Sequence, residues 1–427
     1  MPVLNQRDYR SAKSRQAQID AVLGPEAVVD GLTSSLSAEI SSARRKALQA
    51  EGKKLRDAVE AYEKLQSSGH ISKDLAKDEL GLLPIIGRIA RRLSQRELAD
   101  LLDVSEQQIQ RYETDRYATI SLSRYKRVLD ILGVELRSRL NPAWSITGSE
   151  PITQPNLEID GSLISDIRKS NWVSLPKGIT NESATQILAT YVAASAELGQ
   201  GRALHRRQKG RDAVINDSAL AIWRARALRQ ATSQRSNFKT RFNLVDMSWI
   251  TKLANLSARP DSPSRAVEFL RERGIILVIV PHLSHTRLDG AAMLLADGTP
   301  VIALTLRYDR LDSFWFTLFH EIGHILLHFN HGLDAGFVDD LDVTGDSKEE
   351  ADADSFALSA FIPDDVWDKS PARFSNAPDL LRKFSESLKI HPAIVAGRIR
   401  KERGDYKIFN DLVGTGVVRA MFADQFA

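Results

Sequence analysis

One stretch constrains the chain more than any other: FTLFHEIGHILLH, residues 316–328. It is an apolar run of helical length into which His320, Glu321 and His324 are set. Histidines at this spacing lie one turn above each other on a helix, so both imidazoles can bind one ion. Glu321 follows His320 directly, where a general base could take a proton from water that attacks a carbonyl. The spacing therefore predicts a metal site and a catalytic carboxylate on one helix.

The chain has no cysteine, so any zinc must be held by His, Asp or Glu. A catalytic zinc needs a third protein ligand and an open position, and the acidic stretch KEEADADSFALSAFIP, residues 348–363, can supply that ligand. Glu350 is the predicted ligand. Asp354, one helical turn later, is predicted to accept a hydrogen bond from a ligand histidine. Glu349 and Asp352 remain alternative ligands, and a solvated helix face is the alternative interpretation of the acidic cluster.

The chain is longer than one hydrophobic core usually supports, since it has 427 residues. Periodic apolar positions predict a helical hairpin over residues 1–80 and a compact helical bundle over 81–140. Proline and glycine mark residues 141–200 as a linker with local structure. Residues 201–427 begin with a basic helical segment and continue with short β-branched runs and helices. The predicted fold class is therefore multidomain, with an all-α N-terminal part and an α+β C-terminal domain.

The metal-site region resembles the ImmA/IrrE family of metallopeptidases over residues 249–410. The resemblance is carried by FWFTLFHEIGHILLH, the following E-x-x-x-D-x-F-A and I-P, and by RAVEFLRERGI, LDGAA, PVIALT and IHPAIVAGRIR. It implies a minimal zincin fold with zinc as cofactor, His320 and His324 as ligands, and Glu321 as base. Family sequences often have two glutamates two residues apart where this chain has Glu350 and Asp352. The third ligand therefore stays open.

A second motif, RRLSQRELADLLDVSEQQIQRYETDRYATISL, spans residues 91–122. Two short helices, capped by Ser94 and Ser105 and joined by a turn, predict a helix-turn-helix. The motif resembles the Cro and lambda-repressor type (XRE family), which implies operator DNA as partner and a possible homodimer. The resemblance places Gln95 near phosphate and Gln107 and Gln108 at bases; Arg111 also faces outward and suits guanine or phosphate. A repurposed motif that binds protein is the alternative.

Together these features predict a transcriptional regulator fused to a zinc endopeptidase. The family resemblance implies cleavage of a repressor or antitoxin-like protein in a stress, phage or defence response, and residues 141–181 of the chain itself are a second possible target. One alternative is a non-enzymatic repressor or antitoxin with a structural or sensory zinc site, and another is a protein-interaction module. The N-terminus lacks an apolar signal core, which predicts a cytoplasmic location without membrane contact.

Overall fold

The computed structural model describes residues 3–24, 37–68, 80–134, 157–176, 178–207, 216–235, 240–284, 286–328 and 348–426. The chain divides into two compact units. The first comprises Met1–Glu26 and Gln49–Ser149, and the second comprises Ala27–Leu48 and Glu150–Ala427. Among the described residues, none of the helices has the length and hydropathy that a membrane-spanning segment needs.

The first unit contains two long helices, α1 (Gln6–Leu23) and α2 (Ala38–Ser68). Helix α2 belongs to this unit from Gln49 onward. Helix α1 begins where the Asn5 side chain accepts a hydrogen bond from the Asp8 amide. The rings of Tyr9 and Tyr62 stack with centroids 5.3 Å apart, and Ile19 packs against Gly52. The two long helices of the predicted hairpin are therefore present and in contact, with aromatic and small residues between them, whereas residues 25–36 lie outside the described residues.

The rest of the first unit is the bundle of α3 (Leu83–Ala90), α4 (Gln95–Leu102), α5 (Glu106–Thr114) and α6 (Leu122–Leu132). Both predicted caps are confirmed. The Ser94 hydroxyl accepts a hydrogen bond from the Glu97 amide, and the Ser105 hydroxyl accepts one from the Gln108 amide. These bonds satisfy backbone amides that have no partner within the first helical turn. Asp103 ends α4 with φ 57°, so the chain turns there into α5.

A buried ion pair joins α3 to α5. The Arg88 guanidinium contacts both carboxylate oxygens of Glu113, at 2.5 and 2.9 Å, and neither side chain is more than 6% exposed. Arg88 also donates to the carbonyls of Leu93 and Leu4. Gln95 donates to the same Glu113 carboxylate at 2.7 Å. This network connects α3, α4, α5 and the N-terminal segment, and it was not apparent from sequence periodicity.

The second unit is built on a four-stranded sheet of β1 (Gly199–Arg207), β2 (Ile276–Ile279), β3 (Leu288–Leu295) and β4 (Pro300–Leu304). The strand order is β1-β3-β4-β2. Strand β3 is antiparallel to both β1 and β4, whereas β2 and β4 are parallel. Strands β2 and β4 lie in the β-branched runs of the predicted C-terminal domain, and the unit has the predicted α+β character. Strand β1 was not predicted: residues 201–207, the start of the segment expected to be helical, are part of this strand.

Helices of the same unit accompany the sheet. They are α7 (Gly161–Ser170), α8 (Asn181–Ala196), α9 (Asp217–Arg235), α10 (Ile250–Leu256), α11 (Ser262–Arg271), α12 (Leu311–His328), α13 (Lys348–Phe361), α14 (Asp364–Asp368), α15 (Pro378–Leu388) and α16 (Pro392–Arg403). Helix α12 contacts β3, β4, α13 and α16.

Residues 157–200 are more than the linker expected from their prolines and glycines. Leu163 and Ile167 of α7 and Leu188 of α8 are buried in one core cluster with sheet residues such as Val278 and Met293. Their apolar side chains bury against the sheet. Of the described turn-forming residues, Pro176 and Gly178 lie between the two helices, whereas Gly161 is the first residue of α7. Residues 141–156, the other part of the expected linker, lie outside the described residues.

Candidate metal centre

The candidate centre forms where α12 and α13 pack closely. Gly323 makes this packing possible, because a Cβ at this position would lie 3.1 Å from Ala353 Cα and 3.2 Å from a Phe356 ring carbon. At the far end of the contact, the rings of Phe319 and Phe361 have centroids 4.1 Å apart. Glycine between the two histidines therefore allows the acidic helix α13 to pack closely enough for its carboxylates to contact the imidazoles.

Three side chains from these helices converge on one point. His320 Nε2 and His324 Nε2 are 3.0 Å apart, and the Glu350 carboxylate lies 3.3 Å from the first nitrogen and 3.2 Å from the second. Within the described residues, His320, His324 and Glu350 form the group whose ligand atoms all lie within 4.8 Å of one another. Both histidines are buried and Glu350 is 23% exposed.

The spacing of these atoms fits a zinc ion. Zinc bonds of 2.0–2.1 Å in a tetrahedron separate neighbouring ligands by about 3.3 Å. The observed separations of 3.0, 3.2 and 3.3 Å are close to that edge length. Two imidazole nitrogens and one carboxylate are also the ligand types that catalytic zinc sites use. The residues therefore fit the metal that the sequence analysis expects.

The charges of the group suit a cation as well. Burial raises the pKa of Glu350, but its contacts with His320 and His324 outweigh this effect and lower it to about 2. Burial lowers the pKa of His324. At neutral pH the carboxylate is therefore ionised and the His324 imidazole neutral, which are the protonation states that metal ligands require.

The opposite nitrogen of His320 has its own partner. Asp354 Oδ1 lies 2.8 Å from His320 Nδ1, and Asp354 Oδ2 accepts from Lys401 Nζ at 2.8 Å. Burial raises the pKa of Asp354, but the contacts with His320 and Lys401 outweigh it, so this pKa lies well below its usual range. A carboxylate on the far nitrogen of a histidine commonly fixes the ring orientation, and here His320 Nε2 faces Glu350 and His324. Lys401 was not identified from sequence, since it lies on α16, 47 residues from Asp354.

Asp354→Asn is expected to weaken zinc binding by about 10- to 100-fold, the usual loss when a histidine ligand loses its carboxylate partner. The amide no longer carries the charge that holds Nδ1–H, so the His320 ring loses orientation and basicity. Competition with a chromophoric zinc chelator measures the affinity. Asp365→Asn, at an exposed position on α14, is the matched control and should bind zinc as the wild type does. Equal affinities for wild type and Asp354→Asn would exclude this orienting role.

Glu321 is fully buried beside the ligand pair. Its carboxylate faces β3 at Gly290, where a Cβ would lie 2.9 Å from Glu321 Oε1 and 2.8 Å from Thr317 Cγ2. Glycine at this strand position therefore leaves room for the carboxylate between helix and sheet. This geometry suits the general base predicted from the motif.

The two alternative ligands and two further histidines stand outside this three-residue group. Glu349 is exposed and Asp352 is 7% exposed with a pKa raised by burial, and neither belongs to the three-residue group. The rings of His328 and His324 have centroids 5.6 Å apart, and burial lowers the pKa of His328 to about 4. His391 Nδ1 accepts from the Ala393 amide and caps α16.

In the first unit, the four residues predicted to contact DNA differ in exposure. Gln107 and Arg111 are exposed on α5. Gln108 is half-buried and donates to the Tyr112 hydroxyl at 2.7 Å, whereas Gln95 donates to Glu113. Of the four residues, Gln107 and Arg111 are therefore the two that face solvent.

These features define a helix-turn-helix domain and an α+β domain with a metallopeptidase-type centre. The comparisons with known families agree. Residues 87–138 match the family model described as Helix-turn-helix, and residues 276–391 match the one described as IrrE N-terminal-like domain, a peptidase family. The chain thus combines an XRE-type helix-turn-helix with an ImmA/IrrE-type domain, as the sequence motifs indicated. No significant match was found among curated proteins or among solved structures.

Proposed function

We propose that the chain is a transcriptional regulator whose second unit is a zinc-dependent endopeptidase. The observation that carries this proposal is the convergence of His320, His324 and Glu350 beside the buried Glu321. The matched families make the chain a fusion of a regulator domain and a metallopeptidase domain. Our proposal adds two things to the family match: that the metal is zinc, and that the individual residues have the roles described below.

In this mechanism His320, His324 and Glu350 hold the metal, and Asp354 orients His320. Zinc, when bound, supplies a Lewis acid that polarises the scissile carbonyl and the attacking water. Glu321 accepts a proton from that water as its oxygen bonds to the carbonyl carbon. The protonated Glu321 then gives this proton to the departing amine when the C–N bond breaks. The Glu321 carboxylate is thereby restored for the next cycle.

The partners proposed for the two domains differ. Operator DNA would be read by Gln107 and Arg111 at base edges, with Gln108 beside them and Gln95 near phosphate. The peptidase would cut a repressor or antitoxin-like protein, or this chain itself, in response to stress or phage. Support for a regulatory substrate comes from the presence of a DNA-binding domain in the same chain.

A proteome-derived peptide library tests the proposal even though the substrate is unidentified. The zinc-loaded full chain is incubated with the library, and new N-termini are counted by mass spectrometry. We expect new termini that disappear with a chelator and return when zinc is restored. A chain that holds zinc yet yields no new termini, while its DNA affinity changes with zinc, would contradict the peptidase and indicate a metal-sensing repressor.

A further inference from the structure

Strand β1 covers one edge of β3. Leu204, His205 and Arg206 of β1 pair with Ala292, Ala291 and Gly290 of β3 in an antiparallel register. Strand β1 is the last strand on this side of the sheet, because the order is β1-β3-β4-β2. The opposite edge of β3 is taken by β4.

The covered edge lies beside the proposed general base. Gly290, opposite Arg206, is the strand residue whose added Cβ would lie 2.9 Å from Glu321 Oε1. Helix α12, which carries Glu321, contacts β1 as well as β3. A peptide bond attacked by water that Glu321 deprotonates must pass close to this carboxylate. The β3 edge at Gly290 is therefore well placed to hold an extended substrate.

Extended peptides commonly bind proteins by adding a strand to a sheet edge, where main-chain hydrogen bonds hold them. Here that edge is filled by the chain's own residues. We infer that β1 is an intrachain strand that occupies the substrate position on β3, and that outside substrates reach the metal centre only when β1 leaves. This inference rests on the proposed peptidase function and adds a regulatory step to it.

The ladder between β1 and β3 is interrupted, which suits a strand that must detach. Its register shifts between Gln200 and Leu204 and again between Arg206 and Arg207. The β3–β4 ladder, in contrast, runs without a shift from Gly290 to Leu294. Interrupted pairing lowers the free energy needed to open a strand locally. The regular side of β3 would then remain as a platform when β1 opens.

A disulfide can lock the covered state, because the chain has no native cysteine to interfere. Leu204→Cys with Ala292→Cys places two cysteines on directly paired positions. Paired Cα atoms of antiparallel strands, at about 4.5–5.5 Å, fall within the range that a disulfide spans. With fluorescein-labelled casein as probe, the oxidised variant should cleave at least about tenfold more slowly than wild type and recover in a thiol reductant. The two single-cysteine variants are the controls.

Prolines can release the covered state. His205→Pro with Arg206→Pro removes two consecutive amide donors, of which one faces β3 in an antiparallel ladder. Casein cleavage should rise at least about tenfold, since the rate scales with the fraction of open chains. His205→Ala with Arg206→Ala keeps the amides and should cleave near the wild-type rate. Faster hydrogen exchange of residues 288–295 in the proline variant would report the opening independently of activity.

The outcomes separate this inference from the proposed function. Slow cleavage by the locked variant together with fast cleavage by the proline variant supports β1 as the occupant. Equal cleavage by wild type, the oxidised disulfide variant and the proline variant overturns this inference and leaves the peptidase intact. No new termini from the proteome-derived peptide library with any zinc-loaded variant, while exchange of residues 288–295 is accelerated in the proline variant, overturns the proposed function and this inference with it.

Discussion

Glu321→Gln is expected to lower the peptidase rate by at least about 100-fold, because positioned general bases contribute rate factors of about 10² to 10⁴. Glutamine has nearly the same shape but cannot accept the proton of the attacking water. Zinc content should be unchanged, since the carboxylate is not among the three proposed ligands. Rates on peptides cut by the wild-type chain and metal analysis of the same samples give both quantities.

Glu386→Gln is the matched control for this substitution, because it makes the same chemical change at an exposed position on α15. It should cleave at the wild-type rate. Retention of the wild-type rate by a zinc-loaded Glu321→Gln protein would remove Glu321 from the mechanism. A joint loss of zinc and activity would instead indicate that Glu321 supports the metal rather than the proton transfer.

Glu113→Ala is expected to destabilise the helix-turn-helix bundle by about 3–5 kcal/mol, the cost of removing one partner from a buried ion pair. The Arg88 charge would then remain buried with only carbonyl acceptors, and Gln95 would lose its partner. This cost is a large share of a typical domain stability of about 5–15 kcal/mol. Hydrogen exchange of residues 83–132 measures the change locally, and operator affinity should fall with it.

Two further variants separate charge burial from other causes. Arg88→Met with Glu113→Leu removes both charges and should recover much of the lost stability, because apolar replacement of a whole buried pair is often neutral. Glu268→Gln breaks the exposed pair with Arg271 on α11 and should cost less than about 1 kcal/mol. Unchanged exchange in Glu113→Ala would show that the buried pair does not stabilise the bundle.

Local spacing was sufficient to predict most of the candidate centre. Helical periodicity alone places His320 and His324 on one face, and it places Glu350 and Asp354 one turn apart on another helix. The structure brings these four side chains together in the expected combinations. The choice among Glu350, Glu349 and Asp352 stayed open in the sequence, because the distances of these carboxylates from the histidines depend on how the two helices pack.

Contacts between distant parts of the chain were not predictable in this way. Lys401 reaches Asp354 only because α16 packs on α12, and Arg88 reaches Glu113 only within the folded bundle. The pairing of β1 with β3 likewise joins segments far apart in sequence. Residues 157–200 were predicted to be a linker because of their prolines and glycines. Their structure is instead decided by apolar side chains that are buried against the sheet.

Zinc binding by substituted chains tests the central proposal most directly. Metal analysis and chelator competition should find one zinc per wild-type chain and an affinity loss of more than about 100-fold in Glu350→Ala, beyond that of an orienting residue. Glu349→Ala and Asp352→Ala should bind zinc as the wild type does. A wild-type chain without zinc, or a Glu350→Ala chain with undiminished affinity, would contradict the proposed centre.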